Sequence, residues 1–319
     1  MGGGHLDRRV VSISLGSAGR DHRATLTLLG ERVQIERRGF GGDVDAAARA
    51  IAEMDGQVDA IGLGGLDVHL YIGDDHYVMA DGQRLMDVAR HTPVVDGSSL
   101  KRTLEPRAVR WLAEHGPIPL AGCPVLMVSA LDRYGMAVAL EDAGAQVVYG
   151  DLMFNAGVPY PIRSLPELQR ISRRLVREIV KLPVRMLYPT GAAQETPPEA
   201  RFPEAYAQSR LIAGDFHLIR RHLPARLEGQ AILTNTTTRP DRADLAQRGA
   251  RWLFTTTPLL EGRSYGTNAL EAAMIAILGQ PADGLAPPDF ERLLEAIDYR
   301  PEIIDLAAVG EGEQGGFVP

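Results

Sequence analysis

The chain has 319 residues, a formal net charge of −7 at pH 7 and 45% hydrophobic residues. This length allows two domains with an ordinary buried core, and the negative charge argues against a general nucleic-acid-binding protein. The sequence lacks the run of about eighteen apolar residues that crosses a membrane, so we expect no membrane partner. The first residues, MGGGHLDRR, contain no apolar stretch of a secretory signal. With Cys123 as the lone cysteine, this predicts a cytoplasmic protein.

Residues 1–117 alternate strand, hairpin and helix patterns, which predicts an N-terminal mixed α/β domain with hairpins. Strands are predicted at 10–15, 58–63 and 93–95, with hairpins over 24–38 and 68–79. Helices are predicted at 44–54, 83–90 and 100–115. The same opening order also occurs in ribonuclease-H-like and actin-like folds. The loop Gly116-Pro117-Ile118-Pro119 predicts the boundary of this domain.

Residues 118–285 alternate strictly between strands and helices, which predicts a Rossmann-like, doubly wound parallel sheet. Strands are predicted at 124–129, 146–149, 184–187, 231–233 and 252–254. Helices are predicted at 134–143, 165–180, 206–223, 242–248 and 267–278. Residues 286–319 are predicted to form a C-terminal helix, at 290–297, and a flexible tail. Ligands of such a sheet bind beyond the carboxyl ends of its strands.

Two of these strands end in threonine clusters, Thr234–Thr238 with Asn235 among them, and Thr255–Thr257. Because neighbouring parallel strands end at the same edge of a sheet, these side chains are predicted to line a ligand. The residues chosen are Asn235, Thr236, Thr237 and Thr257. The alternative is that threonines suit strands and cap helices without binding anything.

The turn from Ser129 to Met136 is where a dinucleotide-binding fold places its phosphate loop. The glycine fingerprint of that loop is missing, although Arg133 could neutralise a phosphate. Asp151 lies 21 positions after Ala130, about where an acidic residue binds the adenosine ribose. These features predict NAD or NADP as cofactor, bound by Ser129, Asp132, Arg133, Gly135 and Asp151. The alternative is that Asp132 caps a helix and Asp151 begins a loop.

The segment Ile232–Thr237, ILTNTT, is similar to the Asn-Ala-Thr or Asn-Thr-Thr motif beside the nicotinamide in the shikimate/quinate 5-dehydrogenase group. The layout of substrate domain, Rossmann-like domain and returning helix also resembles that group. The motifs SLGS, PVVDGS and GRSYGTN resemble bacterial proteins labelled quinate 5-dehydrogenase. The chain departs from the group in three places. Its Ser-x-Ser motif is matched only loosely by Ser12-Ile13-Ser14, and its Asn-Val-Thr-x-Pro-x-Lys segment and glycine-rich loop are absent.

The resemblance implies a Lys/Asp pair that handles the proton of the alcohol being oxidised. Lys101 and Asp96 are predicted to fill this catalytic role by analogy, because a lysine beside a carboxylate can take or give a proton. The alternative is a helix-capping aspartate with a solvated lysine. Predicted substrate ligands are Ser14, Arg20, Asp67, Arg263 and Asn268, and either arginine would pair with an anionic group.

The sequence favours an enzyme, an NAD(P)-dependent oxidoreductase acting on a hydroxyl or carbonyl carbon. Its partner would be a small polar molecule, such as a carboxylated, quinate- or shikimate-like compound, and a homodimer is compatible with the sequence. The histidines lack ligand spacing, so no metal site is predicted. The alternative, favoured by the missing glycines, is a non-catalytic Rossmann-like protein that binds a metabolite or has a regulatory role.

Overall fold

The computed structural model describes residues 7–182, 199–260, 263–281 and 285–309. The protein is of the α/β class, as predicted, and divides into two compact units. The first unit comprises Met1–Leu104, Ser172–Thr196 and Leu260–Tyr299, and the second comprises Glu105–Ile171, Pro197–Leu259 and Arg300–Pro319. These units interleave along the chain, whereas the ranges 1–117, 118–285 and 286–319 of the sequence analysis are continuous.

The first unit contains a five-stranded sheet and a separate two-stranded hairpin. Its strands are β1 (Arg8–Ser14), β2 (His22–Leu28), β3 (Glu31–Gly39), β4 (Ala60–Gly64), β5 (His69–Ile72), β6 (Asp75–Val78) and β7 (Val94–Val95). The order of the large sheet is β2-β3-β1-β4-β7, and β2 alone runs antiparallel to its neighbour. Strands β5 and β6 pair with each other. Both predicted hairpins are therefore confirmed.

Three helices accompany these strands: α1 (Val44–Met54), α2 (Ala80–Met86) and α3 (Ser98–His115). Helix α1 begins after Asp43, whose side chain accepts the backbone N–H of Ala46 and so caps the helix as expected. A buried apolar cluster joins α1 to the sheet, with Ile51 packed among Ile13, Leu63 and their neighbours.

The second unit is built on five parallel strands: β8 (Pro124–Met127), β9 (Gln146–Tyr149), β10 (Leu211–Ala213), β11 (Ala231–Thr234) and β12 (Trp252–Thr255). Their order is β12-β11-β10-β8-β9. The helices are α4 (Tyr134–Asp142), α5 (Leu165–Ile179), α6 (Pro203–Ala207), α7 (Phe216–His222) and α8 (Arg239–Arg248), with a π-helix over Asp151–Asn155.

Both faces of this parallel sheet are covered, as a doubly wound fold requires. Val125 and Met127 belong to one buried cluster, whereas Leu126 belongs to another. The same alternation separates Leu233 from Ile232. Since successive side chains of a strand point to opposite faces, the two clusters are the two layers between sheet and helices.

One predicted helix of this unit is wrong. The segment 206–223 was predicted to be a single helix, but it contains the central strand β10 between α6 and α7. Gly214, with a positive φ of 140°, ends the strand, and Asp215 caps α7 through the backbone N–H of His217. Three buried apolar residues were too short a run for periodicity to identify as a strand. The strand predicted at 184–187 lies outside the described residues.

The remaining elements return to both units: β13 (Leu259–Leu260), β14 (Arg263–Ser264), α9 (Thr267–Leu278), α10 (Pro287–Ala296), β15 (Glu302–Asp305) and α11 (Leu306–Val309). Helix α9 packs on β1 and β4 of the first unit, although it was predicted to belong to the Rossmann-like sheet. Strand β15 adds an antiparallel edge to β12. The predicted tail lies outside the described residues, within which no helix is long and apolar enough to cross a membrane.

Candidate functional site

Lys101 and Asp67 form a largely buried ion pair in the first unit. The Nζ atom of Lys101 lies 2.5 Å from Oδ1 of Asp67, and the two side chains are 11% and 15% exposed. Lys101 lies in the first turn of α3, and Asp67 lies in the loop that follows β4. The pair therefore lies beyond the carboxyl ends of parallel strands, the edge where open α/β sheets bind their ligands.

The carboxylate of Asp96 holds the backbone beside this pair. Its Oδ2 accepts the N–H groups of Val68, at 2.7 Å, and of the next residue, at 2.9 Å. Its Oδ1 accepts the backbone N–H and the hydroxyl of Ser98. Lys101 was predicted to act with Asp96. In the structure Asp67, predicted as a substrate ligand, bonds to Lys101, and Asp96 fixes the loop that carries Asp67.

Glu271, on α9, is a buried carboxyl group at the start of α3. It is 2% exposed, and the backbone N–H of Leu100 donates to its Oε2 at 3.0 Å. Burial, reinforced by the charge of Asp96, raises the pKa of Glu271 to about 8, although Lys101 and the backbone N–H groups oppose this. Glu271 is therefore mostly protonated at neutral pH, in the electrostatic range of Lys101.

Asn268 is enclosed by glycines at the start of α9. A Cβ atom at Gly62 would lie 2.6 Å from the carbonyl oxygen of Asn268, and one at Gly97 would lie 2.5 Å from its backbone nitrogen. A Cβ atom at Gly64 would lie 2.9 Å from its Nδ2, the atom that donates to Ser12 Oγ at 2.8 Å. These glycines allow helix and strand backbones to touch. Asn268, predicted as a substrate ligand, thus also joins α9 to β1.

The other predicted substrate ligands of this unit occupy separate positions. Ser14 ends β1, and its hydroxyl accepts from Nη2 of Arg37 at 3.0 Å. Arg20 is exposed in a short 3-10 helix. Arg263 lies in β14, and its side chain is outside the part of the structure that is described. Arg37, which the sequence analysis missed, is the cation at the end of β1 and also bonds to Asp21.

In the second unit, an internal carboxylate binds the first turn after β8. Oδ1 of Asp151 accepts the N–H groups of Ala130 and Leu131, each at 3.0 Å, and the hydroxyl of Ser129 at 3.4 Å. Burial raises the pKa of Asp151 to about 7, while the two amides act to lower it. Ser129 also donates to Asp132 at 2.9 Å. Asp151 begins the π-helix that follows β9, and its carboxylate binds the turn that follows β8.

Arg133 is surrounded by carboxylates and is 4% exposed. Its Nη1 contacts Glu105, its Nη2 donates to Asp215 at 2.9 Å, and its Nε lies 3.5 Å from Asp132. Burial would raise the pKa of Asp215, but Arg133 and His217 outweigh it and lower this pKa to about 2. The charge of Arg133, predicted to bind a cofactor phosphate, is therefore compensated inside the protein.

The threonine-ended strands β11 and β12 lie side by side and parallel, as predicted. The hydroxyls of Thr236 and Thr257 are 3.1 Å apart, and Thr237 is buried. Nδ2 of Asn235 donates to Asp215 at 3.0 Å. The structure brings these four predicted residues together at one edge, where their hydrogen bonds are largely made within the protein.

The residues at this edge do not fit the pyrophosphate of NAD or NADP. A dinucleotide fold offers backbone N–H groups at the first turn and a helix N-terminus to the phosphates. Here Asp151 accepts the N–H groups, Arg133 bonds to carboxylates, and Gly135 lies inside α4. Among the described residues, no three His, Cys, Asp or Glu side chains are arranged to hold a metal ion.

Three carboxylates of these clusters were missed from the sequence. Glu271 had a signal, because it is the only charged residue of the apolar helix α9. Asp215 follows Gly214 at the start of a helix, a typical capping position that the wrong helix prediction concealed. Glu105 had no signal, because nothing in the local sequence of α3 indicates that it meets Arg133.

Comparison with solved structures finds weak likenesses that include dehydrogenases and sugar-binding proteins. Glutamate dehydrogenase from Thermus thermophilus is 13% identical, with a TM-score of 0.43 over 92% of this chain and 74% of that one. L-tryptophan dehydrogenase from Nostoc punctiforme is 11% identical, with a TM-score of 0.35 over 92% and 78%. A glucose-galactose binding protein from Geobacillus stearothermophilus is 12% identical, with a TM-score of 0.39 over 94% and 98%. These values indicate no substrate or cofactor.

No curated protein matches the chain. Two family models do match it, and they meet at the start of α3. The first, a domain of unknown function named DUF8753, matches residues 9–96. The second, a domain of unknown function named DUF8754, matches residues 99–306, which is more than half of the chain. The chain therefore belongs to the DUF8754 family.

Proposed function

We propose that the protein is an enzyme in which Lys101 moves a proton at a hydroxyl or carbonyl group of a small polar metabolite. The observation that carries this proposal is the buried pair of Lys101 and Asp67, 2.5 Å apart at the carboxyl edge of the first sheet. The chain has 34 basic residues, of which only Lys101 and Lys181 are lysines. A lysine can give up its proton, whereas an arginine in a protein cannot.

The roles of the neighbouring groups follow from their hydrogen bonds. Asp67 orients Nζ of Lys101, so that the amine faces a fixed direction when it takes or gives a proton. Asp96 is a positioning residue, since it holds the backbone next to Asp67. Glu271 keeps its own proton near neutral pH, so it adds little negative charge that would favour the ammonium form of Lys101.

A finer form of the proposal is an NAD(P)-dependent oxidation of a carboxylated, quinate- or shikimate-like alcohol. The likeness of residues 232–237 to the nicotinamide motif of shikimate/quinate dehydrogenases supports it. The contacts of Asp151 and Arg133 argue against a pyrophosphate bound at the turn after β8, because the groups that would bind it already bond to carboxylates of the protein. Titration with NADH and NADPH, followed by the fluorescence of the nicotinamide, decides this form, and no binding of either at about 1 mM would remove it.

A second candidate is a metabolite-binding protein without catalysis. The specific observation in its favour is that the carboxylate of Asp151 already accepts the N–H groups of Ala130 and Leu131. Because the N–H groups of this turn already have a hydrogen-bond acceptor inside the protein, they do not require a cofactor phosphate. The second unit can therefore bind a ligand without performing redox chemistry. Such a protein would bind its ligand equally well with and without Lys101.

Substitution of the two lysines tests the enzymatic proposal. Lys181 is the matched control, because it is exposed and pairs only with the exposed Glu178 among the contacts described. Quinate and shikimate are offered with NAD⁺ or NADP⁺, and turnover is followed by nicotinamide absorbance. Loss of a general acid–base group lowers the rate by about 10²–10⁴-fold, so we expect this loss in Lys101→Ala and Lys101→Arg and none in Lys181→Ala.

Because Lys101→Ala leaves Asp67 buried without that cation, the double variant Lys101→Met/Asp67→Asn controls for folding. It removes both charges together, which a buried ion pair tolerates better than the loss of one partner. Measurable turnover that is equal in the unmodified protein, Lys101→Ala and Lys181→Ala would rule out the role of Lys101.

A further inference from the structure

The second unit has a topological switch point at the end of β8. Strand β9, which follows β8 in the chain, pairs on one side of it, and β10 pairs on the other. Loops after β8 and its neighbours diverge at such a point and leave a crevice where α/β proteins bind ligands. Four carboxylates and two amides lie there, on these connections and on helix α3, and form the switch-point cluster: Glu105, Asp132, Asp151, Asp215, Asn155 and Asn235.

The charge of this cluster disfavours an anionic ligand. Arg133 is the cation among these groups, and it contacts three of the four carboxylates. A phosphate or carboxylate brought to this edge would meet an excess of like charge at short range, which is unfavourable. Ionised carboxylates accept hydrogen bonds and donate none. The cluster therefore complements a ligand that offers several hydrogen-bond donors.

Asp151 supplies a second, independent observation. The residue is 4% exposed, and its Oδ1 accepts the two backbone N–H groups of the turn. Its Oδ2 is buried and has no hydrogen-bond partner among the described residues. Ionised or protonated, such an atom costs about 1–3 kcal/mol until a partner arrives. Because both oxygens belong to one carboxyl group, Oδ2 lies at the same turn, and a ligand reaches it only by displacing the groups that cover it.

The backbone at this place is also unusual. Residues Asp151–Asn155 form a π-helix directly after β9, a rare conformation that is often found at functional sites. It buries Phe154 in the core while leaving Asn155 exposed, with Nδ2 of Asn155 3.5 Å from Ser129 Oγ. The π-helix thus holds an acceptor, Asp151, and an amide, Asn155, on the same side of the turn.

We propose that the switch-point cluster binds a neutral polyhydroxylated small molecule, one of whose hydroxyls donates to Oδ2 of Asp151. The amide of Asn155 would donate to a second ligand oxygen. A polyol both donates and accepts, as this mixture of carboxylates and amides requires. The site lies wholly within the second unit and does not depend on the role of Lys101.

Binding of neutral polyols to the full chain tests the proposal. The probes are myo-inositol, D-glucose and D-galactose, with quinate and NADH as anionic comparisons, measured by isothermal titration calorimetry up to about 10 mM. Asp151→Asn keeps an acceptor for the two amides and replaces Oδ2 with a donor. Asn155→Ala changes an exposed side chain and spares the fold. Asp142→Asn is the matched control, an exposed aspartate at the end of α4.

We expect at least one polyol to bind the unmodified protein, Asp142→Asn and Lys101→Ala alike. Loss of a hydrogen bond to a buried carboxylate should weaken that binding about tenfold or more in Asp151→Asn. Failure of all three polyols to bind would overturn the proposal. It would also be overturned if Asp151→Asn and Asn155→Ala both bound the polyol as tightly as the unmodified protein does. NADH binding that is lost in Asp151→Asn would instead assign the edge to a nucleotide.

Discussion

Replacing Glu271 by glutamine should make the protein more stable at neutral and alkaline pH. Glu271 is 2% exposed, and burial, with the charge of Asp96 in addition, raises its pKa from the ordinary 4.5 to about 8. The folded state therefore binds a proton that the unfolded state has already lost. Stability from this group is greatest below about pH 4.5 and falls as pH rises towards about pH 8.

The size of the effect follows from the two pKa values. Each unit of difference between folded and unfolded states corresponds to about 1.4 kcal/mol, so protonating Glu271 costs about 3 kcal/mol at pH 7. Glutamine avoids this cost, but its amide has one acceptor oxygen for the backbone N–H groups of Leu100 and Ser99. The weaker hydrogen bonding lowers the free energy of unfolding by about 1 kcal/mol. Glu271→Gln should therefore gain about 2 kcal/mol at pH 7 and lose about 1 kcal/mol near pH 4.5.

Urea unfolding between about pH 5 and pH 9, followed by far-ultraviolet circular dichroism, measures this difference. Hydrogen exchange of peptides from α9 assigns the transition to the first unit, since two units can unfold separately. Glu228→Gln is the control, because Glu228 is exposed. A stability difference between Glu271→Gln and the unmodified protein that does not change with pH would refute the argument.

Two further substitutions test the packing of the sites. Gly97→Ala should destabilise the protein by about 2–4 kcal/mol, because Gly97 has a φ of 88° and an added Cβ atom would meet the backbone of α9. Gly122 is the control, since it has a φ of 70° but open space around the position of a Cβ atom. Thermal unfolding should show a smaller loss of stability for Gly122→Ala. Arg133→Ala should cost about 3–5 kcal/mol, because it leaves buried carboxylates without their cation. Urea unfolding should show no comparable loss for the exposed Arg226→Ala, and equal losses would contradict the buried role of Arg133.

The sequence predicted the elements whose pattern is local. The hairpin of β2 and β3 follows from alternating residues around Gly30-Glu31, and the pairing of β11 with β12 follows from two apolar runs with like endings. The short strand β10 was missed because three consecutive apolar residues are too few to show a hydrophobic periodicity. The placement of α9 against β1 was missed because the glycines that admit it lie about 200 positions earlier, at Gly62 and Gly64.

The sites show the same limit. Lys101 was predicted to act with Asp96, whereas the carboxylate 2.5 Å from its Nζ atom belongs to Asp67, 34 positions away. Local sequence shows which residues can titrate, whereas pairing depends on how the loop after β4 is held. Asp151 was predicted to bind a ribose from its spacing, and spacing alone does not reveal that its carboxylate accepts the backbone N–H of Ala130.

The two units place different charged groups at the ends of their parallel strands, and these groups bear on which ligand each can accept. In the first unit, Lys101 is paired with Asp67 and Arg37 with Asp21, and Glu271 is mostly uncharged at neutral pH. An anionic group of a substrate such as quinate would share one of these paired cations. In the second unit, three carboxylates contact Arg133 at the switch-point cluster, so a nucleotide or a carboxylate would meet an excess of negative charge there. Since one fold hosts many chemistries, these side chains, and not the likeness to dehydrogenases or sugar-binding proteins, are the basis for choosing between the two functions.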